Sequence, residues 1–282
     1  IESLNRFKTS AQQKKIITDL ADGLISFVIG THRLFGSDVK FHDLGLLVLD
    51  EEQRFGVEHK EKLKLLKENV DTLTMTATPI PRTLHMSLAG IRDISVINTP
   101  PNIRIPVQTY VVEESDALFK DAITRELARE GQVLVMHNRV ETIYKLADKL
   151  KTIVPEAKII VAHGQMDAKT LEDSVMKFYD GDYNVLVATT IIENGIDLPR
   201  ANTIIVTDSD KLGLSTLYQL KGRVGRSNVM AHAYFTFDRD KVMSEAAYKR
   251  LSVLTEFTEM GSGYKIAMRD LEIRGAGNVM GK

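Results

Sequence analysis

Adjacent carboxylates, paired arginines and small hydroxyl residues stand in this sequence at spacings that suit phosphate chemistry. In Val48-Leu49-Asp50-Glu51-Glu52-Gln53 a hydrophobic strand runs into consecutive acids. Ligands of open α/β sheets gather at the carboxyl ends of strands. A carboxylate there can hold Mg²⁺, usually through water, while its neighbour orients an attacking water. The same acids also suit the first turn of a helix, where the macrodipole favours them. Thr76-Ala77-Thr78-Pro79-Ile80-Pro81-Arg82-Thr83 follows another strand. Its hydroxyls and prolines make a rigid loop open to close approach, or simply a strand-to-helix turn. Gly30-Thr31-His32-Arg33 suits phosphate contact through main-chain N–H, hydroxyl and guanidinium groups. His32 by itself reads equally as a structural residue.

Two later runs extend the pattern. In Thr189-Thr190-Ile191-Ile192-Glu193-Asn194-Gly195-Ile196-Asp197-Leu198-Pro199 the paired threonines can bond a nucleic-acid phosphate. Gly195 permits close backbone approach, and Asp197 can accept a ribose hydroxyl or hold an arginine. A helix cap with a structural Asp turn accounts for the run equally well. In Gln219-Leu220-Lys221-Gly222-Arg223-Val224-Gly225-Arg226 two arginines three apart would share one helical face. Paired guanidiniums are the groups wanted beside a γ-phosphate in transit, with a solvated basic face as the alternative.

Positioning these groups requires strands and helices in alternation, and the sequence supplies them. Apolar runs at 26–30, 46–49, 72–75 and 94–97 read as buried strands. Ser10 could cap a helix that carries Ile16, Ile17 and Leu20 and closes at Gly23, and residues 60–67 read as a second helix. Thr99-Pro100-Pro101-Asn102 stops the pattern, and a domain boundary is placed there. The alternation restarts with strands at 107–112, 133–136, 159–161, 185–187, 203–206 and 231–237. Helices are expected at 116–129, 140–151 and 168–179, and the pattern turns helical from 241 onward. Continuous apolar strands separated by helices predict parallel sheets covered on both faces.

Composition agrees and narrows the class. At about 150 residues per domain, 282 residues suggest two domains. Hydrophobic residues at 43% and charged residues at 27% exclude a disordered chain. The absence of cysteine excludes disulfides, thiolate metal sites and a cysteine nucleophile. A net charge of −1 gives no general field for nucleic acid, so backbone contacts must come from local clusters. No apolar run approaches the ~18 residues of a transmembrane helix, and a cytoplasmic location is expected. The first residues, Ile1-Glu2-Ser3, have no initiator methionine and no signal-peptide design, so the chain reads as an internal piece.

Taken together, the motifs resemble those of superfamily-two helicases. Asp50 to Val57, Thr76 to Thr83 and Gln219 to Arg226 are similar to motifs II, III and VI; Gly30 to Arg33 is similar to motif Ib, and Thr189 to Pro199 to motif V. Within that superfamily Gly90 to Ile97, Thr99-Pro100-Pro101 and Ala162-His163-Gly164-Gln165-Met166 resemble the transcription-repair coupling family more closely than the RecG family. Met268 to Gly277 resembles the translocation module that both families share.

The resemblance implies an α/β fold of two RecA-like parallel-sheet domains followed by a helical translocation hairpin. Residues 1–105 would be the C-terminal part of the first domain, truncated at its N-terminus. Residues 106–238 would be the second domain, and 239–282 a truncated helical module. It implies ATP and Mg²⁺ as cofactors and double-stranded DNA as track. RNA polymerase and UvrA would be partners through domains outside this chain, and no membrane is involved. Asp50 would hold Mg²⁺ and Glu51 the hydrolytic water. Arg223 and Arg226 would reach the γ-phosphate, and Gln53, Thr78, Gly195, Asp197 and Gln219 would serve the nucleotide. Thr31, His32, Arg33, Asn138, Arg139, Thr189 and Thr190 would lie along DNA, with Arg269 and Arg274 coupling the cycle to movement. No G-x-x-x-x-G-K-[ST] phosphate loop occurs in the sequence. The family carries that loop upstream, so this chain alone is expected to lack efficient ATPase activity and to expose apolar strand edges. The alternatives are a RecG-type fork-remodelling motor, a non-catalytic DNA-binding module on a helicase scaffold, and an unrelated nucleotide-binding α/β protein.

Overall fold

The computed structural model describes residues 1–5, 8–51, 55, 62–63, 70–76, 93–97, 105–190, 198–238, 240, 242–256 and 263–274, with backbone alone at 168, 263, 264, 271 and 274. The chain divides into two compact units, Ile1–Ala77 and Thr78–Lys282.

In the first unit, β1 (Glu2–Leu4) pairs parallel with β2 (Val28–Gly30), and β3 (Leu46–Asp50) pairs parallel with β4 (Asp71–Met75). Helix α1 (Ser10–Ala21) joins β1 to β2. Its cap is Thr9, one residue before the expected Ser10: the Thr9 hydroxyl accepts from the Gln12 N–H while Gln12 reaches back to the Thr9 N–H. This reciprocal capping box satisfies two donors that Ser10 alone could not. Leu4, Ile16 and Leu20 form the small core of the unit. Ile29, Leu46, Val48, Leu73 and Met75 are exposed, so these strands are not buried as their apolar runs alone suggest, and they present the apolar surface that the resemblance implies for this domain. Residues 94–97, expected as a strand and falling in the second unit, adopt none, and Ile97 is 87% exposed. Of the expected helix at 60–67, only 62–63 fall within the described residues, and they are helical.

The second unit matches the sequence reading closely. It contains β5 (Gln108–Glu113), α2 (Asp116–Leu127), β6 (Gln132–Met136), α3 (Val140–Ile153), β7 (Ile159–Ala162), α4 (Ala168–Asp180), β8 (Val185–Ala188), β9 (Ala201–Val206), α5 (Leu214–Lys221), β10 (His232–Phe237), α6 (Glu245–Glu256) and α7 (Gly263–Arg274). The six strands form one sheet, in the order β5-β10-β9-β6-β8-β7, and all pairings are parallel. Alternation along each strand splits the core into two layers. Val133, Val135, Val185, Val187 and Ile205 face α2 and α3. Leu134, Met136, Leu186, Ile204 and Phe235 face the other side, with Phe178, Leu217, Leu254 and Ile266 from the later helices. A sheet buried on both faces explains the apolar runs within β6 and β8. Helices α6 and α7 pack on this sheet as part of the second layer. Among the described residues no helix is long and apolar enough to cross a membrane.

Candidate nucleotide and nucleic-acid sites

The acidic pair closes β3. Asp50 is exposed at the carboxyl end of the strand, opposite Met75 in the parallel register. Glu51 follows with φ +49°, a left-handed backbone that a non-glycine residue adopts at a cost of about 1–2 kcal/mol. Two bonds hold it there: its N–H donates to the Met75 carbonyl at 3.0 Å, and its Oε2 accepts from the Thr76 hydroxyl at 3.1 Å. The acids and the start of the Thr76 loop therefore share one rim, as the motif reading requires. Hard carboxylate oxygens fit Mg²⁺, and among the described residues no group of three or more potential ligands gathers. Gln53 and Thr78 lie outside the described residues.

At the end of β2, Thr31 and His32 are exposed, and residues 32–35 form a 3₁₀ turn. The His32 ring lies 5.4 Å from that of Phe55. Arg33 is fully engaged inside its own unit. It grips Asp38 through two bonds of 2.8 and 2.6 Å and donates from Nε to Gln13 at 2.9 Å. The guanidinium thus braces the turn instead of projecting from it.

In the second unit, β7 and β8 lie on one side of β6 and β9 and β10 on the other, which makes the carboxyl end of β6 a topological switch point. Residues 137–139, 189–190 and 207–208 meet at that rim. Asn138 is exposed and accepts from the Thr190 hydroxyl at 3.1 Å. Thr189 is buried, and its N–H donates to the Ala162 carbonyl. Arg139 pairs with Asp208 at 3.0 Å, and Lys211 binds the other oxygen of the same carboxylate. Asp208 itself sits in the left-handed region, at φ +50° and ψ +38°. His137 lies between the hydroxyls of Thr207 and Thr142, at 2.8 and 2.7 Å, and burial lowers its pKa. Nearby, burial raises the pKa of Glu114, which accepts from Thr236.

The arginine pair is placed elsewhere. The expected common helical face does not form, because α5 ends at Lys221 and Gly222 caps it. Arg223 and Arg226 stand in the turn that follows, each half-buried. Gly225 at φ +76° reverses the chain, and a Cβ there would lie 2.8 Å from Val107 Cγ2. Both the backbone angle and the crowding exclude a side chain. Val107 and Ala231 precede β5 and β10, so the turn lies at the amino rim of the sheet, opposite the Asn138–Thr190 rim. Gln219 is half-buried on α5, and Lys221 is 6% exposed, its pKa lowered to about 8 by burial. Gly195 and Asp197 lie outside the described residues. Arg269 pairs with Glu272 at 2.7 Å on α7; the side chain of Arg274 lies outside them too.

Asp208, Asn202 and Ser227 did not stand out in the sequence, although their contacts shape both rims. None belongs to a recognisable spacing, and each earns its place through a partner at least 25 positions away.

Comparison with known proteins agrees with this layout. The "DEAD/DEAH box helicase" family matches residues 2–87, and the "Helicase conserved C-terminal domain" family matches residues 116–228. The transcription-repair-coupling factor of Bacillus subtilis (strain 168) is 60% identical over 99% of this chain and 24% of its own length. That of Staphylococcus haemolyticus is 54% identical over the whole chain, again covering 24% of the relative. The chain thus spans about a quarter of the length of the curated relatives it matches. A solved structure of RecG bound to a three-way DNA junction superposes with a TM-score of 0.72 at 34% identity, covering 98% of this chain and 36% of that one. Two helicase families therefore match the chain in order, and more than half of its residues are shared with a quarter-length segment of transcription-repair-coupling factors.

Proposed function

We propose that this chain is part of the ATP-driven motor of a double-stranded DNA translocase of transcription-coupled repair, and that without the phosphate loop these residues alone lack efficient ATPase activity. The whole protein would displace stalled RNA polymerase and aid recruitment of UvrA, through modules outside these residues. Residues 1–105 and 106–238 would supply the two RecA-like domains, and 239–282 a helical module that couples hydrolysis to movement through Arg269 and Arg274.

The observation that carries the reading is the fixed acidic rim of β3 and β4. Glu51 is held in a costly backbone conformation by both the main chain and the side chain of the next strand's end. Strain of this kind persists where the surroundings over-determine it, as at catalytic sites. Asp50 would hold Mg²⁺ through water, and the ion when bound neutralises charge on the phosphates. Glu51 would orient the attacking water and accept its proton. Arg223 and Arg226 would place positive charge against the γ-phosphate as it transfers. Gln53, Thr78, Gly195, Asp197 and Gln219 would line the nucleotide. Thr31, His32, Asn138, Arg139, Thr189 and Thr190 would follow the DNA backbone, with Arg33 bracing its turn.

The test is duplex-stimulated ATP hydrolysis by the full-length gene product. Glu51→Gln should abolish turnover, and Arg226→Ala should slow it by about 10³-fold or more, the scale of an arginine finger. Turnover that survives Glu51→Gln would remove the acidic rim from the mechanism. The 34% identity to RecG favours fork remodelling as the second reading. Preference for three-way junctions over linear duplex in the same assay would select it.

A further inference from the structure

A polar relay at the amino rim of the second sheet ends on the residue after Arg226. It starts at Glu126 near the end of α2, which is 1% exposed. This carboxylate is paired with Arg129 and accepts from the Thr203 hydroxyl at 2.5 Å. Its other oxygen faces the Asn202 amide nitrogen at 3.5 Å, and the same nitrogen donates to the Arg200 carbonyl at 3.3 Å. Asn202 is 5% exposed. An ionised carboxylate only accepts, so it fixes the amide with N–H inward. The Asn202 carbonyl oxygen must then point the other way, where the Ser227 hydroxyl donates to it at 2.8 Å. Ser227 in turn accepts from the Val229 N–H at 3.4 Å.

Residues 222–229 have no regular secondary structure, so individual bonds and contacts hold the arginine turn. They include the Ser227–Asn202 bond, the Arg226 Nε bond to the Gly222 carbonyl at 3.3 Å, the Arg223 N–H bond to the Leu220 carbonyl at 3.0 Å and the packing of Gly225 on Val107. Gly131 serves the same relay from outside every motif. A Cβ there would fall 1.7 Å from Glu126 Oε1, so only glycine lets the chain pass over the buried carboxylate.

We propose that Asn202 and Ser227 are positioning residues for Arg226, and that buried Glu126 sets the polarity of the relay. This rests on the reading of Arg226 as the residue that meets the γ-phosphate. Both residues would act through Arg226, so their loss should reduce kcat and leave KM for ATP nearly unchanged. Displacement of a catalytic group by about 1 Å costs up to 10²-fold in rate.

The experiment compares the full-length gene product with Ser227→Ala and Ser227→Thr. Two readouts are taken: duplex-stimulated ATPase kinetics, and amide hydrogen exchange of the 222–230 segment. Ser227→Ala should lower kcat about ten- to a hundredfold, keep KM within about twofold and speed exchange of the segment about tenfold, with β6, β8 and β9 unchanged. Ser227→Thr keeps the hydroxyl and should restore kcat to within about threefold. Unchanged exchange in Ser227→Ala overturns the proposal, as does faster exchange with unchanged kcat. An equal loss with Ser227→Thr also overturns it, because the hydroxyl would then not be the working group. A wild-type protein without ATPase activity defeats the motor reading instead, and the exchange readout separates that failure from a failure of the relay.

Discussion

Arg139 offers the sharpest test of whether the second unit meets DNA. Sequence resemblance places it along the DNA backbone, yet in the structure it is paired with Asp208 at 3.0 Å. The two side chains are 45% and 21% exposed, so solvent reaches the guanidinium while the carboxylate is mostly covered, and a partly exposed pair of this kind contributes about 1 kcal/mol to stability. A phosphate can therefore compete for the guanidinium at small cost. If Arg139 takes one phosphate, Arg139→Ala should reduce the slope of log K against log salt by about 0.9. Between 50 and 200 mM salt that difference alone changes relative affinity about 3.5-fold. Asp208→Asn removes the internal competitor and should keep the slope while tightening binding by up to about fivefold, the equivalent of ~1 kcal/mol. The assay is fluorescence anisotropy of a labelled duplex titrated with the full-length gene product over that salt range. An unchanged slope in Arg139→Ala, together with full binding in the charge-swapped Arg139→Asp/Asp208→Arg protein, would show Arg139 to be a strut of the rim and refute the phosphate contact.

Two further outcomes follow from buried groups. Burial lowers the pKa of Lys221 to about 8, below its ordinary value of 10.5. Between these pH values the unfolded chain binds a proton that the folded chain does not, so stability should rise with pH across that window, by at most ~1.4 kcal/mol per pH unit. Chemical unfolding at pH 7.5 and 9.5 should show the rise, and Lys221→Met should flatten it; a flat wild-type profile contradicts the assignment. Gly131→Ala should destabilise the second unit by ~1–3 kcal/mol, because the new methyl must displace a carboxylate held by Arg129 and Thr203. A shift in urea midpoint below that range would mean that Glu126 can move aside.

Much of the second unit was legible in the amino-acid sequence. Apolar runs such as Val133-Leu134-Val135-Met136 and Val185-Leu186-Val187 belong to strands buried on both faces, and local pattern suffices to find them. The strand closing on Asp50 was equally plain, since the hydrophobic run and the acids are contiguous. Where side chains depend on distant partners, local pattern failed. The exposure of Ile29, Val48 and Leu73 is set by what covers the sheet, which no strand encodes in itself. The arginines were read onto a helix because i, i+3 spacing is all that a sequence displays; α5 ends at Lys221 with Gly222 as its cap, and Gly225 at φ +76°, packed on Val107, sets the turn at the amino rim.

The order of strands and helices, and the types of residue at their ends, are therefore properties of the sequence. Folding alone decides that Arg33 is spent on Asp38 and Gln13, that Arg139 shares Asp208 with Lys211, and that Asn202 reaches Ser227. Hydrogen bonds and ion pairs act over about 3 Å, and only the parallel crossing of the chain brings residues 20 to 77 positions apart within that distance.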